Sequence, residues 1–161
     1  MKKSLSLVLV MLMIIIMGCV GCRVESNQND DSIFEFELPC GFVIADISDK
    51  ECSIINEAGL CVGGFVVTDL KLKDIKGTDS IILPQYLNKF HEGSEYISWS
   101  GDNAKNPTKH VKQFVSEGNS TLTKELYHVF FERNSRVYDM WLDTQMIDSN
   151  TVLEFVSVSV E

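Results

Sequence analysis

The chain has 161 residues, of which 45% are hydrophobic and 23% are charged, and its formal net charge is −9. This length predicts one domain, and an acidic chain is repelled by phosphate backbones, which argues against nucleic-acid binding. Even without the apolar N-terminus, enough aliphatic and aromatic residues remain to form a hydrophobic core.

Residues 1–18 are typical of a signal peptide. Lys2 and Lys3 form a short positive head, and residues 5–17 are apolar apart from one serine. Thirteen helical residues rise only about 20 Å, whereas the hydrocarbon core of a bilayer is roughly 30 Å thick. The segment is therefore short for a transmembrane helix, and a cleavage site with small residues is expected after it.

Two cysteines follow the apolar run in the sequence IMGCVGC, residues 16–22. An aliphatic residue, two small or neutral residues and then a cysteine resemble the lipobox of bacterial lipoproteins. The resemblance implies a diacylglycerol on the cysteine sulfur, cleavage just before that cysteine and acylation of the new amino end. We favour Cys19, which follows Ile16 in the aliphatic position although Met17 is bulky. Cys22 is the alternative, but the four-residue motif that ends at Cys22 would have Cys19 in place of the aliphatic residue.

Two other interpretations of this cysteine pair are weaker. An uncleaved signal anchor would leave Cys19 and Cys22 as buried thiols, but the apolar run is short for that role. A redox or metal-binding pair is disfavoured, because a thioredoxin-like motif follows a strand and begins a helix. We therefore expect the chain to be held at the cell membrane, outside the cytoplasm, by N-terminal acyl chains in the lipid bilayer.

A polar tether should connect this anchor to the folded domain. Residues 19–32 comprise the lipidated N-terminus and a stretch, residues 23–32, that is polar and shows no hydrophobic period. The extracytoplasmic domain then spans residues 33–161. Cleavage of the signal peptide removes Lys2 and Lys3, so the acidic domain should be held off an anionic membrane surface except at its tether.

The three remaining cysteines are Cys40, Cys52 and Cys61, and an exported domain can keep disulfides. A two-residue turn between the last two would place Cys52 opposite Phe65 and Cys61 opposite Asn56, over about 12 Å apart, too far for a bridge. A disulfide from Cys40 to either of them stays open. Unpaired thiols that pack as small hydrophobes are the other alternative.

Hydrophobic alternation and turn residues predict a series of consecutive strands. We place these strands at residues 33–38, 42–47, 52–56, 60–68, 108–116, 122–133 and 136–143. Gly63 and Gly64 suggest a bulge or a close backbone approach within a β-hairpin. Residues 133–136 are a turn signal inside an aromatic-rich hairpin. Residues 69–80 are expected to be a mixed-charge connection, and residues 99–107 a loop.

Two short helices complete the pattern. The first is predicted over residues 84–93, with Pro84 in its first turn and Gly93 as its stop. The second should follow the N-cap cluster at residues 148–150, although the alternating VSVSV of residues 156–160 leaves a strand as the alternative. The fold class is therefore α+β, a single domain of mainly antiparallel sheet with about two short helices.

The sequence shows no cluster of residues with catalytic or metal-binding spacing. His91 begins HEGSE, in which Glu95 stands where a zinc-binding helix of the HExxH type needs its second histidine. Gly63 and Gly64 lack the spacing and the following helix of a phosphate-binding loop. We therefore expect no metal, no cofactor and no catalytic residues, although a Cys–His pair formed in space stays open.

Two polar features on the predicted hairpin have structural interpretations. His128 is expected to be a half-buried sheet histidine with local hydrogen bonds, on the strand face opposite that of Tyr127. Asp139 and Asp143 share one strand face with Trp141. That face is expected to be solvated, with a cation or sugar subsite as the alternative.

Two longer stretches carry a family resemblance. IFEFELPCGFVIADISDKECSIINEAGLCVGGFVV, residues 33–67, and YHVFFERNSRVYDMWLDTQMIDSNTVLEFVSVSV, residues 127–160, resemble small Firmicute lipoproteins. They also resemble extracytoplasmic modules of membrane metallopeptidase sensors of the beta-lactam sensor-transducer type. The resemblance covers residues 33–160 and implies a non-catalytic accessory domain. The HExxH motif and the multi-helix membrane region of those sensors have no counterpart in the sequence, so peptidase activity does not carry over.

These features favour a membrane-anchored lipoprotein whose domain binds or senses something outside the cytoplasm without chemistry of its own. One alternative is an anchored envelope enzyme that acts on cell-wall material. The other is an immunity or interaction protein for another envelope protein. An exposed aromatic patch would favour a protein partner.

Overall fold

The computed structural model describes residues 33–76, 82–101, 107–116 and 123–160. The predicted signal peptide, both candidate lipidation sites at Cys19 and Cys22, and the tether up to residue 32 lie outside the described residues.

The described parts of the chain form strands and helices in an α+β arrangement. In chain order the elements are β1 (Phe42–Ala45), β2 (Glu51–Asn56), β3 (Cys61–Val67), α1 (Leu72–Lys76), α2 (Ile82–Phe90), β4 (Glu95–Ser100), β5 (Lys109–Ser116), β6 (Thr123–Arg133), β7 (Arg136–Asp143) and α3 (Ser149–Val160). The strands form one antiparallel sheet in the order β1-β2-β3-β7-β6-β5-β4. This confirms the predicted α+β class with mainly antiparallel sheet.

Two meanders meet in the middle of the sheet. Strands β1 to β3 pair in succession, and α1 and α2 then carry the chain to the opposite edge, where β4 begins. Strands β4 to β7 pair in succession back towards the centre, so that β7 lies beside β3 with Met140 opposite Phe65. The two halves of the domain therefore share one continuous sheet.

Alternate residues of each strand point to opposite faces of the sheet. Face A, the face of Tyr127 and Val129, packs against the N-terminal segment and against Val152 and Phe155 of α3. Face B, the face of His128 and Phe130, packs against residues of α1 and α2. The predicted division of the β6 side chains between two faces is confirmed.

The prediction of a strand at residues 33–38 is wrong, because this segment makes no ladder pairs. Phe34 is buried, Phe36 is half-buried, and the two glutamates that alternate with the apolar residues are exposed. The ring of Phe36 stacks on that of Phe65 with centroids 4.1 Å apart. The alternation therefore reflects packing of the segment on face A rather than pairing within the sheet.

The interpretation of residues 69–107 also needs correction. Trp99 and Ser100, predicted to lie in a loop, belong to β4, and the predicted connection at residues 69–80 contains the short helix α1. The other strand predictions agree with β1, β2, β3, β5, β6 and β7 to within a few residues. The predicted total of about seven strands was right only because β4 replaces the segment at residues 33–38.

The β2–β3 hairpin has a more irregular register than predicted. Cys52 lies opposite Phe65 as expected, but Cys61 lies opposite Ile55 and not Asn56. The chain turns over three residues after Asn56 rather than two, and a register shift beside Ile55 compensates for the extra residue. Cys52 is buried, Cys61 and Cys40 are exposed, and all three are free thiols.

Gly63 and Gly64 allow close backbone contacts in the centre of the sheet, as their sequence predicts. A Cβ on Gly63 would overlap the carbonyl oxygen of Trp141. A Cβ on Gly64 would overlap the carbonyl oxygen of Cys52 and lie 3.0 Å from Nε1 of Trp141. Both positions therefore exclude side chains for steric reasons.

The C-terminal segment is a helix, and the alternative of a strand is wrong. Asp148 caps its first turn, because Oδ1 accepts hydrogen bonds from the backbone N–H groups of Asn150 at 2.8 Å and Thr151 at 3.0 Å. Phe155 and Val152 are buried against face A. The buried residues of this segment are therefore spaced as on one face of a helix, and the alternation of valine and serine does not indicate a strand.

Candidate functional site

The structure brings His128 and Asp139 together on face B. In the β6–β7 hairpin Asp139 lies opposite Phe130, so His128 is its diagonal neighbour on the same face. Nδ1 of His128 lies 3.1 Å from Oδ1 and 3.0 Å from Oδ2 of Asp139, and neither residue has exposed surface. His128 was expected to be half-buried with local hydrogen bonds; it is fully buried instead, and Asp139 of the same hairpin is one of its partners.

The expectation of a solvated face around Asp139 and Asp143 is also wrong. Asp143 is 7% exposed, and its Oδ2 lies 2.7 Å from Nζ of Lys124. Its Oδ1 also accepts a hydrogen bond from the backbone N–H of Gln145. Both carboxylates are thus occupied by partners within the domain.

Gln113 on β5 holds the Nε2 side of the His128 ring. Its Nε2 donates to the carbonyl oxygen of Leu87 at 3.0 Å and to Oγ of Ser94 at 2.6 Å. Its Oε1 therefore faces Nε2 of His128 at 3.1 Å, and this contact requires a proton on Nε2. The contact between Nδ1 and the Asp139 carboxyl adds a second hydrogen bond on the other side of the ring.

Tyr86 on α2 completes this buried polar cluster, which consists of Tyr86, Ser94, Gln113, His128 and Asp139. Its hydroxyl donates to Oδ2 of Asp139 at 3.1 Å. Burial, and after it the charge of Asp139, raises the pKa of Tyr86 above its usual range, so the phenol keeps the proton that it donates. The cluster joins α2 to three adjacent strands.

Apolar rings surround the imidazole, which isolates it from solvent. Phe130 stacks parallel to the His128 ring at 6.1 Å, and Phe90 meets it edge-on at 5.5 Å. An Asp–His pair that activates a nucleophile needs Nε2 directed at that nucleophile. Here Nε2 is bound to Gln113 inside the core, so the cluster is built to stabilise the fold rather than to act on a substrate.

A different constellation lies on face A and combines two exposed side chains with two buried rings. We define the aromatic platform as Ile97, Trp99, His110 and Tyr127, from three adjacent strands. Ile97 is 54% exposed and Trp99 is 39% exposed. The Trp99 ring lies parallel to that of His110 at 5.6 Å and 5.9 Å from that of Tyr127.

Hydrogen bonds behind the platform hold these rings in place. Nδ1 of His110 lies 2.9 Å from the Tyr127 hydroxyl, and Nε2 lies 2.9 Å from Oγ1 of Thr108. A Cβ on Gly101 would overlap Oγ1 of Thr108 and lie 3.0 Å from Nε2 of His110, so the absence of a side chain makes room for this contact. Burial raises the pKa of Tyr127, which keeps its hydroxyl protonated. The His110 ring under Trp99 is therefore held by a hydrogen bond at each of its two nitrogens.

Charged residues of both signs lie on the same face. Nζ of Lys112 is 3.0 Å from Oε1 of Glu125, with both side chains partly exposed, and Glu95 is exposed at the start of β4. An apolar centre with aromatic rings and a polar rim is the usual composition of a protein-binding surface. This surface was not predicted from the sequence, because Trp99 was expected to lie in a loop. The alternation of residues 95–100 was the available signal.

The metal interpretation of HEGSE finds no geometric support. His91 follows the end of α2 and Glu95 begins β4, so the two do not share a helix. In the parts of the chain that the structure describes, no group of three or more His, Cys, Asp or Glu residues could hold a metal ion. Nor is any described helix long and apolar enough to cross a membrane.

No protein-family model matches this chain, and a search of curated proteins finds no match. Its function is therefore inferred from the residues and contacts described above.

Proposed function

We propose that this chain is a membrane-anchored bacterial lipoprotein whose domain binds another envelope protein outside the cytoplasm through the aromatic platform. The anchor would be the acyl chains on Cys19, with Cys22 as the alternative site. The domain itself would bind without catalysing a reaction. The family resemblance of residues 33–160 stays a prediction that agrees with this role.

The exposed Trp99, whose ring is stacked on that of His110, is the observation that carries the proposal. Tryptophan and tyrosine dominate the energetics of protein interfaces because they bury large area with few rotatable bonds. The parallel stack on His110, which is itself bonded to Tyr127, restricts the indole before any partner arrives. Less conformational entropy is then lost on binding.

The contrast with the buried polar cluster supports a role in binding. His128 and Asp139 have the residue types of a catalytic pair but no exposed surface. Ile97 and Trp99 have exposed surface, and Trp99 packs on the buried rings of His110 and Tyr127. Of these two pairs of side chains, the pair that a partner protein can reach, Ile97 and Trp99, therefore offers apolar and aromatic contact.

Site-specific photo-crosslinking of the full-length chain in its native membrane tests the platform. A photoreactive phenylalanine analogue replaces Ile97 on the platform or, as the matched control, Leu153, an exposed apolar residue of α3. We expect an adduct with a second, different protein from position 97 but not from position 153.

The Trp99→Ala variant then shows whether the indole is responsible. Loss of a hot-spot residue costs about 2 kcal/mol or more, which weakens binding roughly 30-fold and should remove the adduct. The melting temperature of this variant serves as the control for folding. Equal adducts from positions 97 and 153, or an unchanged adduct in Trp99→Ala, would contradict the proposed function.

A further inference from the structure

Strand β4 is an outer strand without the features that usually prevent an edge from pairing. All six of its residues are exposed, and it pairs with β5 at six consecutive positions with no register shift. Edge strands are commonly protected by proline, lysine, a bulge or short length. The sequence EYISWS contains neither proline nor lysine. The opposite edge, β1, has only four residues and ends before Asp46, whose φ is 49°.

The hydrogen bonding to β5 determines which backbone groups lie at the free edge. Gly101 continues the β4 register, and its N–H donates to the carbonyl oxygen of Thr108 at 2.9 Å, directly opposite. Hydrogen-bonded pairs alternate along an antiparallel ladder, so every second residue back from Gly101 bonds to β5. The N–H and C=O groups of Tyr96, Ser98 and Ser100 therefore point away from β5. Among the described residues β4 pairs with β5 alone.

We propose that β4 pairs with β4 of a second copy of this chain, antiparallel and around a two-fold axis at Ser98. In this register Ser98 faces Ser98 of the second copy, and Tyr96 faces Ser100. Each of these pairs exchanges two hydrogen bonds, so all three outward residues are used. Registers centred on Ile97 or Trp99 would use only two of them, which favours the axis at Ser98.

The side chains of β4 are compatible with their own copy in this register. On face A, Ile97 lies opposite Trp99 of the second copy and Trp99 lies opposite its Ile97, and such cross-strand apolar pairs are stabilising. Glu95 lies opposite Gly101, so the pairing brings no two like charges together. The strand can therefore associate with itself although the chain carries a net charge of −9.

The place where the described chain begins agrees with this symmetry, in an argument that rests on the proposed lipid anchor. A two-fold axis between antiparallel strands of one sheet is normal to the sheet, so face A points to the same side in both copies. The described chain begins on face A, where the Tyr138 hydroxyl donates to the carbonyl oxygen of Ile33 at 3.1 Å. Both described chains then begin on the same side of the paired sheet, which is compatible with anchoring in a single bilayer.

Pairing in the plane of the sheet would leave the aromatic platform accessible. The Ile97 and Trp99 side chains of one copy would lie beside those of the other on face A. Two platforms would thus form one continuous surface, to which each copy contributes half. The proposed partner protein would contact both copies.

Disulfide trapping in the membrane-bound, full-length chain tests the register. All variants carry Cys40→Ser and Cys61→Ser, and this parent shows the background from the other cysteines after mild oxidation with copper phenanthroline. Paired Cα atoms about 5.5 Å apart are within reach of a disulfide, so Ser98→Cys should give a dimer of twice the chain mass. Ser100→Cys alone is the matched control, because residue 100 of one copy lies about 13 Å along the ladder from residue 100 of the other copy. Coexpression of Tyr96→Cys with Ser100→Cys should restore the dimer.

A proline scan provides a second measurement that does not depend on thiols. The N–H of Ser98 is not used by β5, so Ser98→Pro should keep the fold while it blocks pairing with a second copy. Ile97→Pro removes a backbone hydrogen bond to β5 and should lower the melting temperature. This variant therefore tests which N–H groups of β4 bond to β5 and which lie at the free edge. We expect the Ser98→Pro protein to be monomeric in mild detergent where the wild type is dimeric.

The proposal is overturned if Ser98→Cys gives no more dimer than Ser100→Cys, or if its adduct has the mass of a different protein. It is also overturned if Ser98→Pro stays as dimeric as the wild type. Should these results occur while position 97 still crosslinks to another protein, the dimer alone is excluded and the proposed function stands.

Discussion

The imidazole of His128 and the carboxylate of Asp139 form one buried unit, with Nδ1 3.0 Å from Oδ2 and no exposed surface on either side chain. Oε1 of Gln113 accepts a hydrogen bond from Nε2 of His128, and the Tyr86 hydroxyl donates one to Oδ2 of Asp139. Burying such groups is favourable only when every donor and acceptor is satisfied. These side chains should therefore stabilise the fold only while all of them are present, and removal of one should destabilise the protein.

Replacing Asp139 tests this account. Asp139→Ala leaves the Tyr86 hydroxyl and Nδ1 of His128 without their partner, and should lower the free energy of unfolding by about 3–5 kcal/mol. Asp139→Asn can still accept from Tyr86 and donate to Nδ1, so its cost should be clearly smaller. Urea denaturation measures both variants. Equal losses would show that the hydrogen bonds of the cluster are not what stabilises it.

A second prediction concerns the close backbone approach at Gly64. Gly64→Ala inserts a methyl group against the carbonyl oxygen of Cys52 and the Trp141 ring, and should destabilise the domain by about 1–3 kcal/mol. The control is Gly59→Asn, in the exposed β2–β3 turn. Gly59 has φ 75° with open space around it, a conformation that asparagine tolerates. The melting temperature should fall for the first variant and stay nearly constant for the second.

Local patterns in the sequence predict the local elements of this domain well. The turn at residues 133–136 with alternating residues on both sides predicts the β6–β7 hairpin, and the cluster at residues 148–150 predicts α3. Strand β4 was missed because its short alternation follows a helix stop and precedes a polar stretch. The segment at residues 33–38 was assigned to the sheet because alternation shows which residues are buried, not whether the backbone pairs.

Such local patterns do not predict the buried polar cluster or the aromatic platform. The buried polar cluster depends on how α2 lies over the sheet, which places the Tyr86 hydroxyl against an aspartate 53 positions later in the sequence. The aromatic platform depends on the pairing of β4, β5 and β6, which stacks Trp99 on His110. Sequence spacing alone contains neither the helix position nor the strand register.

A third prediction follows from the N-cap of α3. Hydrogen bonds from Thr151 and then from Asn150 lower the pKa of Asp148 below its usual 3.8. Because the folded-state pKa is lowered, the charged carboxylate stabilises the fold above the unfolded value, and this effect is lost as pH falls through the folded pKa. Asp148→Asn keeps a capping oxygen but cannot titrate. The difference in melting temperature between wild type and this variant should therefore shrink between about pH 6 and about pH 2. A constant difference would contradict the assigned role.

A fourth prediction concerns thiol reactivity. Burial raises the pKa of the Cys52 thiol to about 11, so at pH 8 only about one molecule in a thousand carries the reactive thiolate. Cys40 and Cys61 are exposed. Iodoacetamide should modify these two in the native protein and reach Cys52 only in urea, as peptide mass spectrometry will show. Rapid labelling of Cys52 without denaturant would mean that this part of the core opens readily.

The most direct test of the central claim is the mass of the N-terminal peptide from full-length protein extracted from membranes. The proposed lipoprotein should yield a peptide that begins at Cys19, or at Cys22 in the alternative register, with acyl groups on the sulfur and amino end. Replacing the modified cysteine by serine should abolish the acylation and release the chain from the membrane. An intact, unmodified peptide that begins at Met1 would contradict the claim.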